Sequence, residues 1–370
     1  MQERSGEWVI WSRRTAPAGD EVPLEACGAG TCEGANVTTA AEAVSVLRAS
    51  AVRGRTGVVV FDTVGAFTAA LDEARTGGAA VGLVPTMGSL HAGHASLISR
   101  ARAECDVVAV TVFVNPTQFD DVADLAAYPR DPDGDVELAG SAGADMVLMP
   151  AVEEVYPEGS ATVVSLPSLS GSFEGESRPG HFDGVATVVA KLFAMTGRCR
   201  AYFGEKDYQQ LALVRTMARD LCLPVEVIGC PTVRDADGLA LSSRNARLSA
   251  EQRKAAPVLY RALLAGRRAI ECGSRDRSAV ESIMRGVIGQ EPLARLDYAA
   301  AVDASDLSSP DELGGAVRLL VAARVGAVRL IDNLGTFATT PELAHPGRRQ
   351  SVTTSPVAPQ HRLDDERHPQ

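Results

Sequence analysis

Short apolar runs alternate with helix-like segments through the central part of the chain. The β-prone apolar runs lie at 58–61, 79–84, 107–114 and 144–150. Apolar residues recur at helical spacing between these runs, at 64–75, from about 91 to 103 and at 134–142. Apolar strands that alternate with helices are typical of parallel βαβ units, whose sheet is covered on both faces. The pattern therefore predicts an α/β fold built on a doubly wound parallel sheet.

The pattern continues to about residue 246 and then changes. A helix-like segment at 183–196 is followed by strand-like runs that begin near 201 and 225, and then by a polar loop at 241–245. Further along, two charged amphipathic segments precede three strand-like runs, at 249–273, 276–289, 295–303, 316–323 and 327–331. This second pattern predicts a smaller C-terminal α+β domain.

We therefore expect four parts along the 370 residues. Residues 1–57 form an N-terminal extension without a clear strand pattern, and residues 58–246 form the doubly wound domain. The smaller domain spans 247–335. The tail at 336–370 is rich in Pro, Ser, Thr and His, a composition typical of disorder.

Charge and cysteine usage narrow the class of protein. The net charge of −11 argues against a nucleic-acid partner, because a phosphate backbone is bound by basic surfaces. The seven cysteines are scattered without a CxxC pair, which indicates a reduced cytoplasmic protein with core cysteines and no metal site of its own. No apolar run is long enough to cross a bilayer, so we expect no membrane partner.

Two histidines stand where a strand is expected to lead into a helix. His91 and His94 follow the apolar run at 79–84, and helical spacing resumes at Ala95. Such a corner offers free N–H groups and the positive end of the helix dipole to a phosphate. The two imidazoles could donate hydrogen bonds to a phosphate on which charge develops. The alternative is that they only cap the helix, because a short HxxH motif is weak by itself.

Three further polar clusters fall at strand ends or in loops, at 115–119, 204–210 and 242–244. Gly204 allows close backbone approach, and the Lys206 ammonium supplies a compact charge for phosphate oxygens. The hydroxyls of the serine pair and the guanidinium of Arg244 are donors suited to phosphate oxygens. Asp207 could instead cap a helix that begins at Tyr208. Together with the histidine corner, the clusters predict one nucleotide-phosphate site.

The order and spacing of these clusters resemble the pantothenate synthetases, also called pantoate–β-alanine ligases, within the wider HxGH nucleotidyltransferases. The resemblance covers about residues 58–335. It rests on Val84–Gly88, His91–His94, Val112–Phe119, Tyr128–Arg130, Arg178–Val185, Phe203–Gln210, Asp237–Ala240, Ser242–Asn245, Asp297–Tyr298, Asp303, Ala322–Gly326 and Arg329–Asn333.

The resemblance implies a fold, an activity and partners. It implies a Rossmann-like catalytic domain, a lid-like C-terminal domain and a homodimer. The implied activity is that of an AMP-forming carbon–nitrogen ligase, which condenses (R)-pantoate with β-alanine through a pantoyl-adenylate intermediate. ATP is then a substrate that becomes AMP and pyrophosphate, and Mg²⁺ accompanies it.

The resemblance also assigns roles to residues. The implied catalytic residues are His94 as a proton donor, His91, Lys206 and Arg244. The implied ATP-binding residues are Met87, Gly88, His91, Gly93, His94, Gly204, Glu205, Lys206, Asp207, Val233, Leu241, Ser242, Ser243 and Arg244. Gln118 and Gln210 are implied to bind pantoate or β-alanine. We expect Arg178 and His181 in the site wall or at a dimer edge, and Gln209 in solvent.

Other functions remain open at this point. A paralogous ligase could keep the adenylation machinery and take another hydroxy acid or amine, although Gln118 and Gln210 favour pantoate. An HxGH nucleotidyltransferase or an aminoacyl-tRNA synthetase is disfavoured, because no KMSKS-like loop and no basic RNA-binding face is present. A non-catalytic nucleotide-binding module is disfavoured by the complete set of His91, His94, Lys206 and Arg244.

Overall fold

The computed structural model describes residues 57–119 and 125–338, which contain two β-sheets. The strands are β1 (Val59–Phe61), β2 (Val81–Thr86), β3 (Val107–Val112), β4 (Met146–Leu148), β5 (Cys199–Gly204), β6 (Val225–Cys230), β7 (Ala294–Asp303), β8 (Gly315–Val325) and β9 (Val328–Ala338). The helices are α1 (Val64–Thr76), α2 (Ala92–Glu104), α3 (Pro132–Ala142), α4 (Val152–Val155), α5 (Pro167–Ser170), α6 (Glu174–Ser177), α7 (His181–Thr196), α8 (Tyr208–Asp220), α9 (Ala250–Ala255), α10 (Val258–Glu271) and α11 (Arg277–Gly289).

The first sheet is parallel and has the order β1-β4-β3-β2-β5-β6. The chain adds strands on one side of β2 and later returns to its other side with β5. Leu83 of β2 pairs with Ala201 of β5. The carboxyl ends of these two strands therefore lie side by side at the point where the strand order reverses, which is the place where open α/β sheets bind ligands.

Helices cover both faces of this sheet. Leu83 packs into a core with Phe67 of α1 and Phe193 of α7. The next residue, Val84, points to the other face and packs with Ile98 of α2. Neighbouring residues of one strand thus enter different cores, as a strand buried on both faces requires. The predicted doubly wound α/β fold is confirmed.

The second sheet is antiparallel, with the order β7-β8-β9. Helices α10 and α11 pack on it through apolar residues such as Leu263 and Met284. The predicted smaller α+β part is confirmed. The single helix predicted at 249–273 is wrong, because the chain forms α9 and α10 with Pro257 between them, and proline lacks the N–H that a continuous helix needs.

The predicted domain limits stay a prediction. Strand β9 continues to Ala338, past the expected end of the second domain at 335. The N-terminal extension and the tail beyond 338 lie outside the described residues. None of the helices in the described ranges is both long and apolar enough to cross a membrane. The core role expected of the cysteines is wrong for Cys222 and Cys272, which are exposed, whereas Cys105, Cys199 and Cys230 are buried.

Candidate active site

A cavity of about 640 Å³ lies beyond the carboxyl ends of β2, β3 and β5. This volume is in the range typical of small-molecule sites, roughly 300–1,000 Å³. All four polar clusters contribute to its walls. The predicted site residues that line it are Met87, His91, Gly93, His94, Gln118, Gly204, Lys206, Asp207, Gln210, Val233, Leu241, Ser242, Ser243 and Arg244.

Two residues predicted to bind ATP, Gly88 and Glu205, do not belong to this lining. Gly88 has a φ of 84°, and a Cβ at this position would meet the Asp135 carboxylate, which accepts two backbone N–H bonds from the same turn. Gly88 therefore shapes the turn after β2. The Glu205 carboxylate lies 3.4 Å from the Arg318 guanidinium and is directed towards the second sheet.

The histidine corner forms the first turn of α2. His91 is the N-cap residue, and its Nδ1 accepts a hydrogen bond from the Gly93 N–H at 3.1 Å. Nδ1 of His94 accepts one from the His91 N–H at 3.3 Å. A neutral ring that accepts at Nδ1 carries its proton on Nε2. Capping and phosphate binding are thus compatible, because capping leaves both rings with an Nε2–H donor.

Both histidines are neutral at physiological pH. Burial lowers the pKa of His94 to about 3, and the neighbouring His91 adds to this shift. Burial also lowers the pKa of His91, and the charge of Lys206 contributes. Asp207 opposes both shifts without cancelling them. The corner therefore presents two hydrogen-bond donors without bringing two additional positive charges.

The lowered pKa values of these histidines predict a pH-dependent stability. The unfolded chain protonates its histidines near the ordinary value of 6.5, whereas folded His94 resists protonation until about pH 3. We expect the free energy of unfolding to decrease as the pH falls below about 6.5, because the unfolded state then binds more protons. Urea unfolding between pH 7.5 and 5 measures this slope. The slope should be smaller in His94→Gln, and an identical slope in both proteins would contradict the assignment.

The Lys206 segment is a 3₁₀ turn, Glu205–Asp207, between β5 and α8. Lys206 Nζ lies 3.3 Å from Oδ1 of Asp207. Burial acts to raise the pKa of Asp207, but the charges of Lys206 and Arg244 outweigh it and lower that pKa. Asp207 makes no side-chain capping bond to α8, so the capping alternative is wrong for this residue. The segment instead places a carboxylate beside the Lys206 ammonium at the cavity wall.

The serine pair begins a second 3₁₀ turn at 243–247. The Ser242 hydroxyl accepts a hydrogen bond from the Arg244 N–H at 3.3 Å, which fixes the start of the turn. The Ser243 side chain is hydrogen-bonded to Tyr128, another residue of the cavity wall. The turn thus places hydroxyl groups and the Arg244 guanidinium at one wall of the cavity.

Gln118 is held from several sides and is 7% exposed. Its Oε1 accepts a hydrogen bond from Asn115 at 3.0 Å, and its Nε2 lies 2.9 Å from the Met87 sulfur. Its backbone carbonyl accepts bonds from His181 Nδ1 at 2.8 Å and from Arg178 at 3.2 Å. Arg178 also donates to Nε2 of His181, so both residues stand in the wall and orient Gln118.

The expectation that Gln209 faces solvent is wrong. Gln209 is 5% exposed, and its Nε2 donates to the carbonyls of Leu169 and Ser172 at 2.8 Å each. Its Oε1 accepts the Glu174 N–H at 3.1 Å. The segment that contains α5 and α6 folds over this side of α8. Gln210, the next residue, is only partly buried and lines the cavity.

Several wall residues were not assigned a role from the sequence. Glu174 accepts hydrogen bonds from Arg329 at 2.6 and 2.8 Å and from the Tyr298 hydroxyl at 3.0 Å. Asn333 of β9 donates to the backbone of the Lys206 segment. Tyr298 and Asn333 lie in segments that carry the family resemblance, but no periodicity marks them, because their partners are distant in the sequence.

Comparison with known proteins identifies the family. A family model described as "Pantoate-beta-alanine ligase" matches residues 59–335. The chain belongs to this family. A pantothenate synthetase from Herpetosiphon aurantiacus is 51% identical over 264 residues, which are 70% of this chain and 95% of the relative. One from Rubrobacter xylanophilus is 54% identical over 264 residues, 69% of this chain and 91% of the relative.

Solved structures of pantoate–β-alanine ligases have the same fold. The crystal structure of pantothenate synthetase from Thermus thermophilus superposes with a TM-score of 0.71 at 48% identity, covering 75% of this chain and 99% of that one. The Francisella tularensis ligase, complexed with "Beta-gamma ATP" and β-alanine, has a TM-score of 0.62 at 33% identity and covers 75% and 97%.

Proposed function

We propose that this ligase joins pantoate to β-alanine and converts ATP to AMP and pyrophosphate. The observation that carries the proposal is the meeting of four polar clusters around one cavity at the switch point of the sheet. The family match and the Francisella relative with ATP and β-alanine support it. A paralogous ligase with another acid or amine is not favoured.

In the first step, a pantoate carboxylate oxygen forms a bond to the α-phosphorus of ATP. The bond from that phosphorus to the bridging oxygen breaks, and its electron pair leaves with pyrophosphate. The Nε2–H groups of His91 and His94 donate to oxygens on which negative charge develops. Lys206 and Arg244 stabilise the charge of the phosphates and of the departing pyrophosphate. We assign His94 as a hydrogen-bond donor, because its neutral ring has no readily transferred proton.

In the second step, the β-alanine amine attacks the carbonyl carbon of pantoyl adenylate, and AMP leaves with the electrons of the cleaved carbon–oxygen bond. The amine loses a proton to solvent water as the amide forms. Gln118 and Gln210 hold the pantoyl group, since a primary amide can both donate to and accept from its hydroxyls. The neighbours of Gln118 keep its amide in one orientation before substrate arrives.

Mg²⁺ is proposed to enter with ATP. Within residues 57–119 and 125–338, no group of three or more His, Cys, Asp or Glu side chains could hold a metal ion. A Mg²⁺ ion bound through ATP takes most of its ligands from phosphate oxygens and water, with one or two carboxylates. Asp207 fits this need, because it lines the cavity and its pKa is lowered. When bound, the ion would neutralise charge on the phosphates.

A homodimer in the cytoplasm is the assembly and location that we propose, and the family resemblance supports them. Light scattering on purified protein tests the assembly. A mass of one chain at micromolar concentration would contradict it.

The proposed function is tested by omitting one component at a time from a mixture of ATP, Mg²⁺, pantoate and β-alanine. We expect AMP and pantothenate, identified by mass, only in the complete mixture. AMP formation that does not depend on pantoate would contradict the acid substrate. Pantoyl adenylate that never yields pantothenate would contradict the amine.

Replacing Gln118 with alanine is expected to raise the KM for pantoate by about tenfold to a hundredfold. The reason is the loss of one or two hydrogen bonds to substrate hydroxyls, each worth about 0.5–1.5 kcal/mol. Steady-state kinetics with saturating ATP measures this change. The KM for ATP serves as the internal control and should stay within about twofold. An unchanged pantoate KM would place the acid elsewhere in the cavity.

A further inference from the structure

We propose that Asn333 is a positioning residue for adenylate formation, which sets the backbone of the Lys206 segment from the second sheet. The inference rests on the proposed role of Lys206 towards the phosphates of ATP. Nδ2 of Asn333 donates to the carbonyl of Glu205 at 2.8 Å and to that of Lys206 at 2.7 Å. One side chain of β9 thus holds two consecutive peptide groups of the segment.

The orientation of this amide is determined by its partners. Oδ1 of Asn333 accepts a hydrogen bond from Arg318 at 3.0 Å. A guanidinium can only donate and a carbonyl can only accept, so the amide nitrogen must face the Lys206 segment. The Arg318 guanidinium also lies 3.6 Å from the ring centre of Tyr208, the first residue of α8. Arg318 of β8 therefore contacts both β9 and the start of α8.

Asn333 is itself firmly held and is 3% exposed. Its backbone N–H donates to Oδ1 of Asp332 at 2.8 Å, and its carbonyl accepts from Arg234 at 3.1 Å. Arg234 and Asp332 form a two-bond ion pair at 2.6 and 2.9 Å. The support beneath the Lys206 segment is therefore a rigid polar network and not a single mobile side chain.

The Lys206 segment needs such support. A 3₁₀ turn has poorer hydrogen-bond geometry than an α-helix and is weak by itself. The Lys206 ammonium sits at the end of a long side chain, so a small shift of the turn moves the charge relative to the phosphates. A misplacement of about 1 Å in a reacting group can lower a rate by about a hundredfold. Loss of the Asn333 hydrogen bonds should therefore lower the rate of adenylate formation.

The test compares Asn333→Ala and Asn333→Asp in pantoate-dependent exchange of pyrophosphate into ATP. We expect kcat to fall by about tenfold to a hundredfold in both variants, with the pantoate KM within about twofold. The aspartate has nearly the same shape, yet it places an acceptor oxygen against two carbonyls and cannot restore the rate. If the alanine variant does not fold, the aspartate variant carries the comparison. A wild-type rate in either folded variant would overturn the proposal.

A control variant separates positioning from general destabilisation. Glu281→Gln changes a residue that is 5% exposed and bonds Arg285 and the Ala301 N–H, away from the cavity. This variant should keep the wild-type exchange rate even if its unfolding temperature falls. An equal loss of rate in Glu281→Gln and Asn333→Ala would show that the loss follows stability, and would overturn the proposal.

A double variant separates this inference from the function on which it rests. If Asn333 acts through Lys206, then Asn333→Ala should cost less than about threefold when it is added to Lys206→Ala. Fully multiplicative losses would mean that Asn333 acts independently of Lys206. If Lys206→Ala alone keeps the wild-type rate, the proposed role of Lys206 fails, and the inference fails with it for that separate reason.

Discussion

Replacing His94 with alanine is expected to lower the rate of pantoyl-adenylate formation by about a hundredfold to a thousandfold. The variant loses a donor that is already oriented towards developing charge, and the loss of one such donor typically has an effect of this size. Capping fixes this orientation, because Nδ1 of His94 accepts the His91 N–H and leaves the proton on Nε2. Pantoate-dependent pyrophosphate exchange measures the step without the β-alanine reaction.

The His94→Gln variant distinguishes a hydrogen-bond donor from a proton donor. The amide nitrogen of glutamine can reach roughly the position of Nε2 and can donate a hydrogen bond, but it cannot transfer a proton. We expect His94→Gln to retain at least tenfold more activity than His94→Ala. Equal activity in the two variants would favour proton transfer, the role implied by the family resemblance.

The loss of the hydrogen bond from the His91 N–H to the ring in His94→Ala also needs a control. Asp276 is the N-cap of α11, and its side chain accepts from the N–H groups of Ser278 and Ala279. Asp276→Ala should lower the free energy of unfolding, as expected for a lost cap, and leave pyrophosphate exchange unchanged. If exchange falls equally in both variants, the effect of His94→Ala is one of stability.

The parallel sheet could be predicted from apolar runs because its strands are buried on both faces. The runs at 79–84 and 107–114 correspond to β2 at Val81–Thr86 and β3 at Val107–Val112. The start of α2 could also be predicted, since the change from strand to helical spacing falls at the histidine corner. Local sequence therefore located the two elements that carry the first cluster of the site.

The supports of the site depend on contacts that local sequence does not encode. Asn333 is 127 residues from Lys206, and Arg329 is 155 residues from Glu174. The sequence indicates the position of Gln209 on its own helix, and from that position alone we expect Gln209 in solvent. The sequence does not indicate that the segment with α5 and α6 covers this side of the helix. Helical periodicity indicates which face of a helix is apolar, but a polar side chain is buried wherever another segment brings it partners.

Replacing Arg244 with alanine is expected to lower kcat/KM for ATP by about a hundredfold, the effect of losing hydrogen bonds between charged groups worth about 1.5–3 kcal/mol. Arg244→Lys should recover only part of this loss, because lysine keeps the charge without the planar fork that binds two phosphate oxygens.

Arg268→Ala, at an exposed position of α10, makes the same change in net charge outside the cavity and should leave the reaction unchanged. Equal losses in Arg244→Ala and Arg268→Ala would indicate a long-range charge effect. A loss specific to Arg244 that persists at high salt would instead indicate direct contact with ATP, because salt screens distant exposed charges far more than a buried ion pair.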